Sequence, residues 1–331
     1  LAWLSYKYIE TPFRHSKKSA FKVLAYQYVV PSFLLVVLFL FFMKIDGYGL
    51  RWQSDDYIAK LTEVRDEIKP AFKYNYVCQS QIIRQADVEN EECIIGSNLG
   101  AGPKVILWGD SNAAHYIGAL GVFAKESEFS FRNLQIGSCP PLNSNLTDFV
   151  SARRAQDCRD SRDITLKTIT EYDVVIVSAN WTSYQQRSEN FLDVFFQTLL
   201  AIKEQGKQII IIGKAPIIST YDRLCSEKAI SFPFMSCTAR DVLFPTKVKA
   251  INKKLQVFAL SEKNIEYYDF NEYLCPDGVC SAYGLNGEPK YYDSSHLTLS
   301  ASWELGKLIF EKEGVPFPFS SISSVEERGS I

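Results

Sequence analysis

A serine lies where a strongly apolar segment ends. Residues 105–111 read VILWGDS, and the pattern of a helix follows directly after Ser111. In parallel α/β sheets, reactive groups collect at the carboxyl ends of the strands. A serine in this position also lies at a helix N-terminus, whose free backbone N–H groups can stabilise developing negative charge. Ser111 is therefore a candidate nucleophile, provided that a base can accept its proton.

The sequence contains three histidines that could be this base. His15 lies before the apolar segment 23–43, which separates it from Ser111. His115 follows Ser111 by four residues on the same predicted helix, so its ring is directed along the helix and not across a cleft. His296 remains, and it lies in the segment YYDSSHLT shortly before the last predicted helix.

Asp293 precedes His296 by three residues in the same predicted loop. A carboxylate at this spacing can accept a hydrogen bond from one ring nitrogen while the other faces a serine, as in a Ser-His-Asp triad. The alternative is that Asp293 or Ser294 only caps the following helix and that His296 is an ordinary surface residue. The combination of DxxH with a GDS that ends a predicted strand favours the catalytic interpretation.

Alternating strands and helices must position these residues. After residue 104, five apolar runs have the composition of buried strands: KVILWGDS, FRNLQIGS, DVVIVSAN, QIIIIGKAP and IEYYDF. Helical patterns, such as residues 191–204 and 246–259, lie between some of them. This alternation predicts a parallel sheet covered by helices. A short amphipathic helix is also predicted over residues 54–68, because it has apolar residues at helical spacing and ends before Pro70.

Residues 23–43 carry no charge. A helix of this length, 21 residues, would cross the roughly 30 Å hydrocarbon core of a bilayer. A transmembrane helix is therefore predicted over residues 21–45, with a buried core helix as the alternative. Basic residues are concentrated before the uncharged stretch: Lys7, Arg14, Lys17, Lys18 and Lys22. The N-terminal side should be cytoplasmic, and the chain after about residue 45 should lie outside.

All eight cysteines follow this segment. They are Cys78, Cys93, Cys139, Cys158, Cys225, Cys237, Cys275 and Cys280. Their distribution indicates an oxidising compartment, and our interpretation is that sequence neighbours pair, as 78 with 93, 139 with 158, 225 with 237 and 275 with 280. The sequence leaves other pairings open.

Two classes of partner are not expected. The sequence has no CxxC pair and few histidines, so no metal site is predicted. The formal net charge of -2 and the lack of a basic stripe argue against nucleic acid.

These motifs resemble those of the SGNH/GDSL hydrolase superfamily, which is named after a Ser, a Gly, an Asn and a His. The resemblance implies a flavodoxin-like, three-layer α/β/α fold with a parallel central sheet. It implies Ser111 as the nucleophile, His296 as general base and then acid, and Asp293 as the residue that orients it. The backbone N–H of Ser111, the backbone N–H of Gly137 in IGSCPP and the side-chain amide of Asn180 in VSANW would form the oxyanion hole. Ser138 could serve in place of Gly137. The simpler alternatives are that Asn180 only ends its strand and that Gly137 only shapes a turn.

A closer resemblance covers nearly the whole chain. GDS, SCPP, VSANW, LCPDGVC and YYDSSHLT occur in the same order in SGNH domains fused behind acyltransferase-3 membrane domains, and SYKYIETPFR is similar to the end of the membrane domain itself. We therefore expect the sequence, which begins with Leu1, to be part of a longer chain. The implied division is 1–20 for the end of the acyltransferase-3 domain, 21–45 for a transmembrane helix, 46–100 for an extension, 101–312 for the SGNH domain and 313–331 for a tail. One departure is Asn112, where the group commonly has histidine.

The resemblance implies O-acylation, usually O-acetylation, of a surface polysaccharide such as lipopolysaccharide O-antigen. The expected partners are the acyltransferase-3 domain of the same chain, the bacterial inner membrane and the glycan, with the SGNH domain in the periplasm. No cofactor is expected in this part of the chain, and acetyl-CoA is expected to serve the membrane domain. Asn112 and Trp181 are predicted to bind substrate, and Trp108 and Tyr184 beside the motifs also suit sugar stacking. The alternatives are a periplasmic carbohydrate esterase and a non-catalytic glycan-binding module.

Overall fold

The computed structural model describes residues 3, 6–11, 19, 21–22, 25–44, 55–97, 104–232, 234–237, 241–284 and 287–322. The chain divides into two compact units, Leu1–Lys60 and Leu61–Ile331. His15 lies outside the described residues, as do parts of the predicted divisions 1–20, 46–100 and 313–331.

In the first unit, the segment predicted to span a membrane contains two helical parts. Ala25–Val29 is π-helical, and the α-helix α1 (Val30–Lys44) follows it over 15 residues. Val23 and Leu24 lie outside the described residues. Among the described residues, no helix has both the length and the apolar character that crossing a membrane requires. The transmembrane helix predicted over residues 21–45 is therefore not among the helices of the described residues.

Most strands of the second unit form a single sheet. The strands of the described residues are β1 (Gln79–Ser80), β2 (Ile94–Gly96), β3 (Val105–Gly109), β4 (Ser130–Ile136), β5 (Val174–Ser178), β6 (Gln208–Ile212), β7 (Val242–Leu243), β8 (Ile265–Tyr268) and β9 (Val279–Cys280). The large sheet has the order β1-β4-β3-β5-β6-β8, and β2 pairs with β4. All its pairs are parallel except β2 with β4. Strands β7 and β9 form a small antiparallel sheet.

The remaining α-helices of the described residues connect and cover these strands. They are α2 (Asp55–Glu67), α3 (Gln85–Glu89), α4 (Ser111–Ala114), α5 (Ile117–Glu126), α6 (Ala152–Ile169), α7 (Trp181–Arg187), α8 (Phe191–Lys203), α9 (Cys225–Ser231), α10 (Thr246–Ser261), α11 (Asn271–Leu274) and α12 (Leu299–Glu313). Parallel strands need such crossovers, since consecutive strands must start at the same edge of the sheet.

Alternate residues of the central strands face two helix layers. On β3, Val105 and Leu107 pack in one hydrophobic cluster with α5 and α12, whereas Ile106 and Trp108 pack in another with α6, α8 and α10. Strands β5 and β6 alternate in the same way. Because both faces are covered, these strands are apolar throughout, and the result is the predicted three-layer α/β/α arrangement with a mostly parallel sheet.

The five strands and the helices predicted from the sequence are confirmed as β3, β4, β5, β6 and β8 and as α2, α8 and α10. The structure adds β1 and β2, which come from before residue 101 and extend the sheet beyond β4. Four disulfides join the neighbouring cysteines in the pairs 78–93, 139–158, 225–237 and 275–280. The interpretation of neighbour pairing, which the sequence left open, is thereby confirmed.

Candidate active site

The turn after β3 is shaped by a close approach of β5. A Cβ atom on Gly109 would overlap the carbonyl oxygen of Ser178, so a side chain does not fit there. Asp110 then caps α4, because its Oδ1 accepts the backbone N–H of Asn112 at 2.7 Å. Ser111 is the first residue of α4. Its own backbone N–H therefore has no acceptor within the helix and can serve a ligand.

The histidine predicted as the base lies in contact with the serine. Ser111 Oγ is 2.8 Å from His296 Nε2, although 185 residues separate the two in the sequence. His296 lies in the loop that precedes α12, and this loop reaches the carboxyl edge of β3. The distance is within the range for proton transfer between a hydroxyl and an imidazole.

Asp293 orients this imidazole. Both carboxylate oxygens lie 2.9 Å from His296 Nδ1, and Oδ1 also accepts the backbone N–H groups of Ser295 and His296 at 2.8 and 2.9 Å. These contacts assign the hydrogen to Nδ1 and leave Nε2 to accept the hydroxyl of Ser111.

The charge of Asp293 suits this role. Burial acts to raise the pKa of Asp293, but hydrogen bonds from His296, attraction to its ring and the two backbone N–H groups outweigh burial and hold the pKa well below its usual value. The carboxylate is therefore ionised at neutral pH and stabilises the imidazolium that forms when His296 accepts a proton.

A buried lysine supports the same loop. Lys214 follows β6 and is fully buried. Its Nζ donates to the carbonyl oxygen of Ser295 at 3.2 Å and lies 3.4 Å from that of Ala215. Burial lowers the pKa of Lys214 to about 8, while attraction by Asp110 and Asp293 acts in the opposite direction. A cation therefore holds the backbone one residue before His296 at neutral pH.

Asp110 connects the serine turn to the neighbouring strand β5. Its Oδ2 accepts the backbone N–H of Asn180 at 3.0 Å and the hydroxyl of Tyr184 at 2.8 Å. The paired ends of β3 and β5, Gly109 and Ser178, lie opposite each other in the sheet. The residues that follow the two strands therefore meet at one edge, where Asn180 and Ser111 were predicted to act together.

The side chain of Asn180 is held with its amide nitrogen available. Asn180 caps α7, since its Oδ1 accepts from the backbone N–H of Ser183 at 3.4 Å and from the hydroxyl of Thr182 at 3.2 Å. Nδ2 makes no hydrogen bond within the described part of the chain. An amide nitrogen beside the serine turn can donate to an oxyanion.

Gly137 does not present a donor in the same way. Its N–H donates to the carbonyl oxygen of Ser80 at 2.8 Å, where β1 joins β4. A Cβ atom at this position would also lie 2.6 Å from the side-chain nitrogen of Gln81. The geometry therefore gives no support to the predicted oxyanion role of Gly137, because a neighbouring strand already occupies its N–H.

His115 lines the site but lies behind the reacting groups. Its ring centroid is 6.0 Å from that of His296, and the residue is 1% exposed. Neither ring nitrogen has a hydrogen-bond partner among the described residues. Burial, reinforced by the nearby Lys214 and His296, holds the pKa of His115 well below its usual value, so the ring is neutral.

Ser111 and His296 border a small pocket of about 190 Å³. Residues 70–72 form one apolar wall, and the other lining residues include Gln79, His115, Tyr292 and Leu297. A pocket of this size accepts a small group next to the serine hydroxyl.

The aromatic residues predicted to bind sugar lie in the core. Trp181 is fully buried, and its Nε1 donates to the carbonyl oxygen of Ile212 at 3.0 Å. Trp108 and Tyr184 are buried as well. Stacking on a sugar requires an exposed ring face, so the predicted substrate contact of Trp181 is wrong.

Asn112 is also inaccessible to a substrate. It is 1% exposed, and its Nδ2 donates to Asp110 Oδ1 at 3.1 Å. The predicted substrate contact of Asn112 is therefore not found, because its amide faces the buried carboxylate behind the serine.

Sequence reasoning missed Lys214 and the linking role of Asp110. A signal for Lys214 was present, because a lone lysine follows the apolar run IIIIG at a predicted strand end. Lysines are almost never fully buried unless they are paired, so such a position predicts either exposure or a polar partner. Only the fold shows that the partner is the backbone of the histidine loop.

Comparison with known proteins gives a matching family and several similar solved structures, two of which are described here. The family described as "SGNH domain (fused to AT3 domains)" matches residues 78–311. The periplasmic domain of a lipopolysaccharide acetyltransferase from Salmonella ser. Paratyphi A is 20% identical, with a TM-score of 0.55 over 77% of this chain and 98% of that chain. A Streptococcus pneumonia protein, whose name refers to platelet activating factor, is 12% identical, with a TM-score of 0.33 over 63% of this chain and 83% of that chain. No curated protein matches the sequence.

Proposed function

The chain belongs to the family of SGNH domains fused to AT3 domains, and from this premise we propose that it is a serine-dependent O-acyltransferase. The observation that carries the proposal is the chain of contacts from Ser111 Oγ through His296 to Asp293, with distances of 2.8 and 2.9 Å. A surface polysaccharide, such as lipopolysaccharide O-antigen, is the proposed acceptor, and an acetyl group is the proposed acyl group.

In the first step, the acyl group moves to the serine. His296 Nε2 takes the proton of Ser111 while Oγ attacks the acyl carbonyl carbon. Negative charge on the carbonyl oxygen is stabilised by the N–H of Ser111 and the amide nitrogen of Asn180. The bond to the leaving group then breaks, the leaving group takes the proton from His296, and an acyl-Ser111 ester remains. Asp293 stabilises the imidazolium throughout.

In the second step, a sugar hydroxyl reacts with the acyl-Ser111 ester. It gives its proton to His296 and attacks the ester carbonyl, and Ser111 leaves with the proton that His296 returns. Water can follow the same route, so transfer depends on its exclusion. The apolar wall of residues 70–72 is the feature of this pocket that would limit the access of water to the ester.

The compartment and the partners belong to the same proposal. Four disulfides support a location outside the cytoplasm. The similar Salmonella structure is the periplasmic domain of a lipopolysaccharide acetyltransferase, which supports a periplasmic site and an acetyl group. The family description supports an AT3 domain of the same chain, at the bacterial inner membrane, as the source of acyl groups. Acetyl-CoA is the donor we propose for that domain.

The test is to trap and then transfer the acyl group. We expect p-nitrophenyl acetate to give a rapid burst and an acetylated protein by intact-mass analysis, with the acetyl group on Ser111. Ser111→Ala should show neither. Ser261→Ala is the matched control, because this exposed serine ends α10, which leads to the opposite edge of the sheet.

Addition of O-deacylated lipopolysaccharide then separates the alternatives. Acetyl esters on the glycan support the transferase. Free acetate as the sole product, with and without glycan, would instead establish a carbohydrate esterase. Glycan binding without any labelling of Ser111 would reject an enzyme and leave a glycan-binding module.

A further inference from the structure

The pocket at Ser111 is too small to hold a glycan chain. Its volume is about 190 Å³, whereas sites for small organic ligands generally span about 300–1,000 Å³. It can take the acyl group and the reacting hydroxyl, but not the neighbouring part of a polysaccharide. A polymeric acceptor therefore needs a second surface on the same side of the domain.

A larger cavity lies at the carboxyl end of β8. Its volume is about 670 Å³, and it is bordered by α10 and by the segment that follows β8. Lys249, Asn252, Lys253 and Gln256 contribute one face of α10, since their spacing places them on the same side of the helix. Ligands of open α/β sheets bind at this edge, which is also the edge of Ser111.

One buried group in this cavity lacks a partner. Asn271 is 5% exposed and lines the cavity, and its Nδ2 donates to the carbonyl oxygen of Lys214 at 2.9 Å. Its Oδ1 accepts no hydrogen bond among the described residues. A buried acceptor without a donor is unfavourable, and a ligand hydroxyl would satisfy this one once the Asn271 side chain turns its oxygen towards the cavity.

The charges of the cavity are balanced. Lys249 and Lys253 oppose Asp269 and Glu272 on its walls. Asp269 is itself bonded to the hydroxyl of Tyr267 at 2.9 Å and to the backbone N–H of Asn271 at 2.9 Å. An anion such as phosphate would meet as many negative as positive groups. A neutral ligand rich in hydroxyls matches this mixture of donors and acceptors better.

The cavity is joined to the catalytic loop through one residue. Asn252 and Asn271 both donate to the carbonyl oxygen of Lys214, at 3.1 and 2.9 Å, and Asn252 Oδ1 accepts the N–H of Lys214 at 2.9 Å. The side chain of the same lysine holds the carbonyl oxygen of Ser295. A ligand in the cavity would therefore lie against Asn252 and Asn271, which hold the backbone of the lysine that supports His296.

We propose that this cavity is an acceptor subsite, which binds a neutral pyranose unit of the glycan while another unit presents its hydroxyl to Ser111. The role of the cavity as an acceptor subsite rests on the proposed acyltransferase function. The binding event itself can be measured without any acyl transfer.

The first measurement uses small sugars and nuclear magnetic resonance. Methyl α-D-galactopyranoside, methyl α-D-glucopyranoside and inorganic phosphate are titrated into the Ser111→Ala protein. We expect at least one glycoside to shift the side-chain amide signals of Asn271 and Gln256 saturably, with phosphate causing no such shift. Saturable binding of phosphate in place of the glycosides would overturn the neutral-ligand inference, and no shift with either glycoside would overturn the subsite.

The second measurement uses variants of exposed or half-exposed lining residues, which leave the core intact. Lys253→Ala and Gln256→Ala should each raise the KM for O-deacylated lipopolysaccharide at least fivefold. Lys307→Ala, an exposed lysine on α12, is the matched control and should leave this KM unchanged. Unchanged KM values in both cavity variants would reject the subsite.

Failure of the two proposals can be distinguished. If the wild-type protein gives no burst with p-nitrophenyl acetate, the proposed function fails, whatever the sugar titration shows. If the burst and transfer occur but the cavity neither binds a glycoside nor affects KM, only the subsite is wrong.

Discussion

The serine turn and the histidine loop of the candidate site are held by different forces. On the serine side, Asp110, Asn112 and His115 are each 1% exposed and lie within the packed layers. On the histidine side, the side chains of His296 and Asp293 are 25% and 35% exposed. The first region is buried together with its hydrogen bonds, whereas the second is held by hydrogen bonds of partly exposed side chains and by the buried Lys214 beneath it.

Because of this difference, we expect substitutions in one region to affect mainly activity and substitutions in the other to affect mainly stability. A change in the histidine loop removes hydrogen bonds that the fold does not need, so it should reduce the rate and leave the protein folded. A change behind the serine removes packing or buried hydrogen bonds, so it should reduce stability first. Four substitutions test this division, beginning with the largest expected effect.

Asp293→Asn should reduce the rate of Ser111 acylation about 10⁴-fold, because the neutral amide no longer holds the imidazole in the required tautomer. The measurement is the burst rate with p-nitrophenyl acetate, together with the thermal unfolding curve. Asp277→Asn, an exposed carboxylate elsewhere, is the control. A loss of less than tenfold in Asp293→Asn, or a large loss of stability, would contradict the division.

Asn180→Ser should reduce kcat about 10²- to 10³-fold, the usual effect of removing one oxyanion donor. Serine is as good an N-cap as asparagine, so α7 should keep its cap and the free energy of unfolding should change little. Asn180→Ala loses both the oxyanion donor and the N-cap. Its free energy of unfolding should therefore be about 1 kcal/mol lower than that of Asn180→Ser. Equal activity of Asn180→Ser and the wild type would remove Asn180 from the oxyanion hole.

Lys214→Met should reduce kcat about tenfold, which corresponds to the loss of one charge-assisted hydrogen bond to the histidine loop. The free energy of unfolding of Lys214→Met at neutral pH should instead rise, because the variant no longer buries a charge. Because burial lowers the pKa of Lys214 to about 8 in the folded protein, the unfolded chain binds more protons between about pH 8 and pH 10.4. The wild type should therefore gain stability across this range relative to Lys214→Met.

The pH series of unfolding curves for both proteins measures this difference. If the difference in free energy of unfolding between the two proteins is constant from pH 7 to pH 10, burial does not lower the pKa of Lys214. An unchanged kcat in Lys214→Met would show that the loop holds its position without the cation.

Trp181→Phe should leave kcat and the KM for glycan unchanged and should destabilise the fold by about 1–3 kcal/mol, since the carbonyl of Ile212 loses its buried donor. Denaturant unfolding measures the loss. A raised KM with unchanged stability would instead restore Trp181 as a sugar-binding residue.

The sequence predicts the parts of this molecule that have strong local patterns. The apolar runs of β3, β5 and β6 need burial on both faces, and this requirement alone indicates a parallel sheet. The contact between Ser111 and His296 was predicted because each residue is part of a motif, GDS or DxxH, whose structural setting is known.

Other features depend on contacts that no local pattern encodes. The N–H of Gly137 is already hydrogen-bonded because β1 pairs with β4. The strand β1 is only two residues long, and a strand this short has no recognisable periodicity. Trp181 is buried because α8 packs over it, as its contact with Phe195 at 4.6 Å between ring centroids shows.

The apolar wall of the pocket has a practical consequence for defining the catalytic unit. Residues 70–72 border the serine, yet the family match begins at residue 78. A shortened protein starting at Cys78 would keep Ser111, Asp293 and His296 but would lack this apolar wall. Under the proposed function, such a fragment should hydrolyse activated esters faster than a protein that keeps residues 70–72.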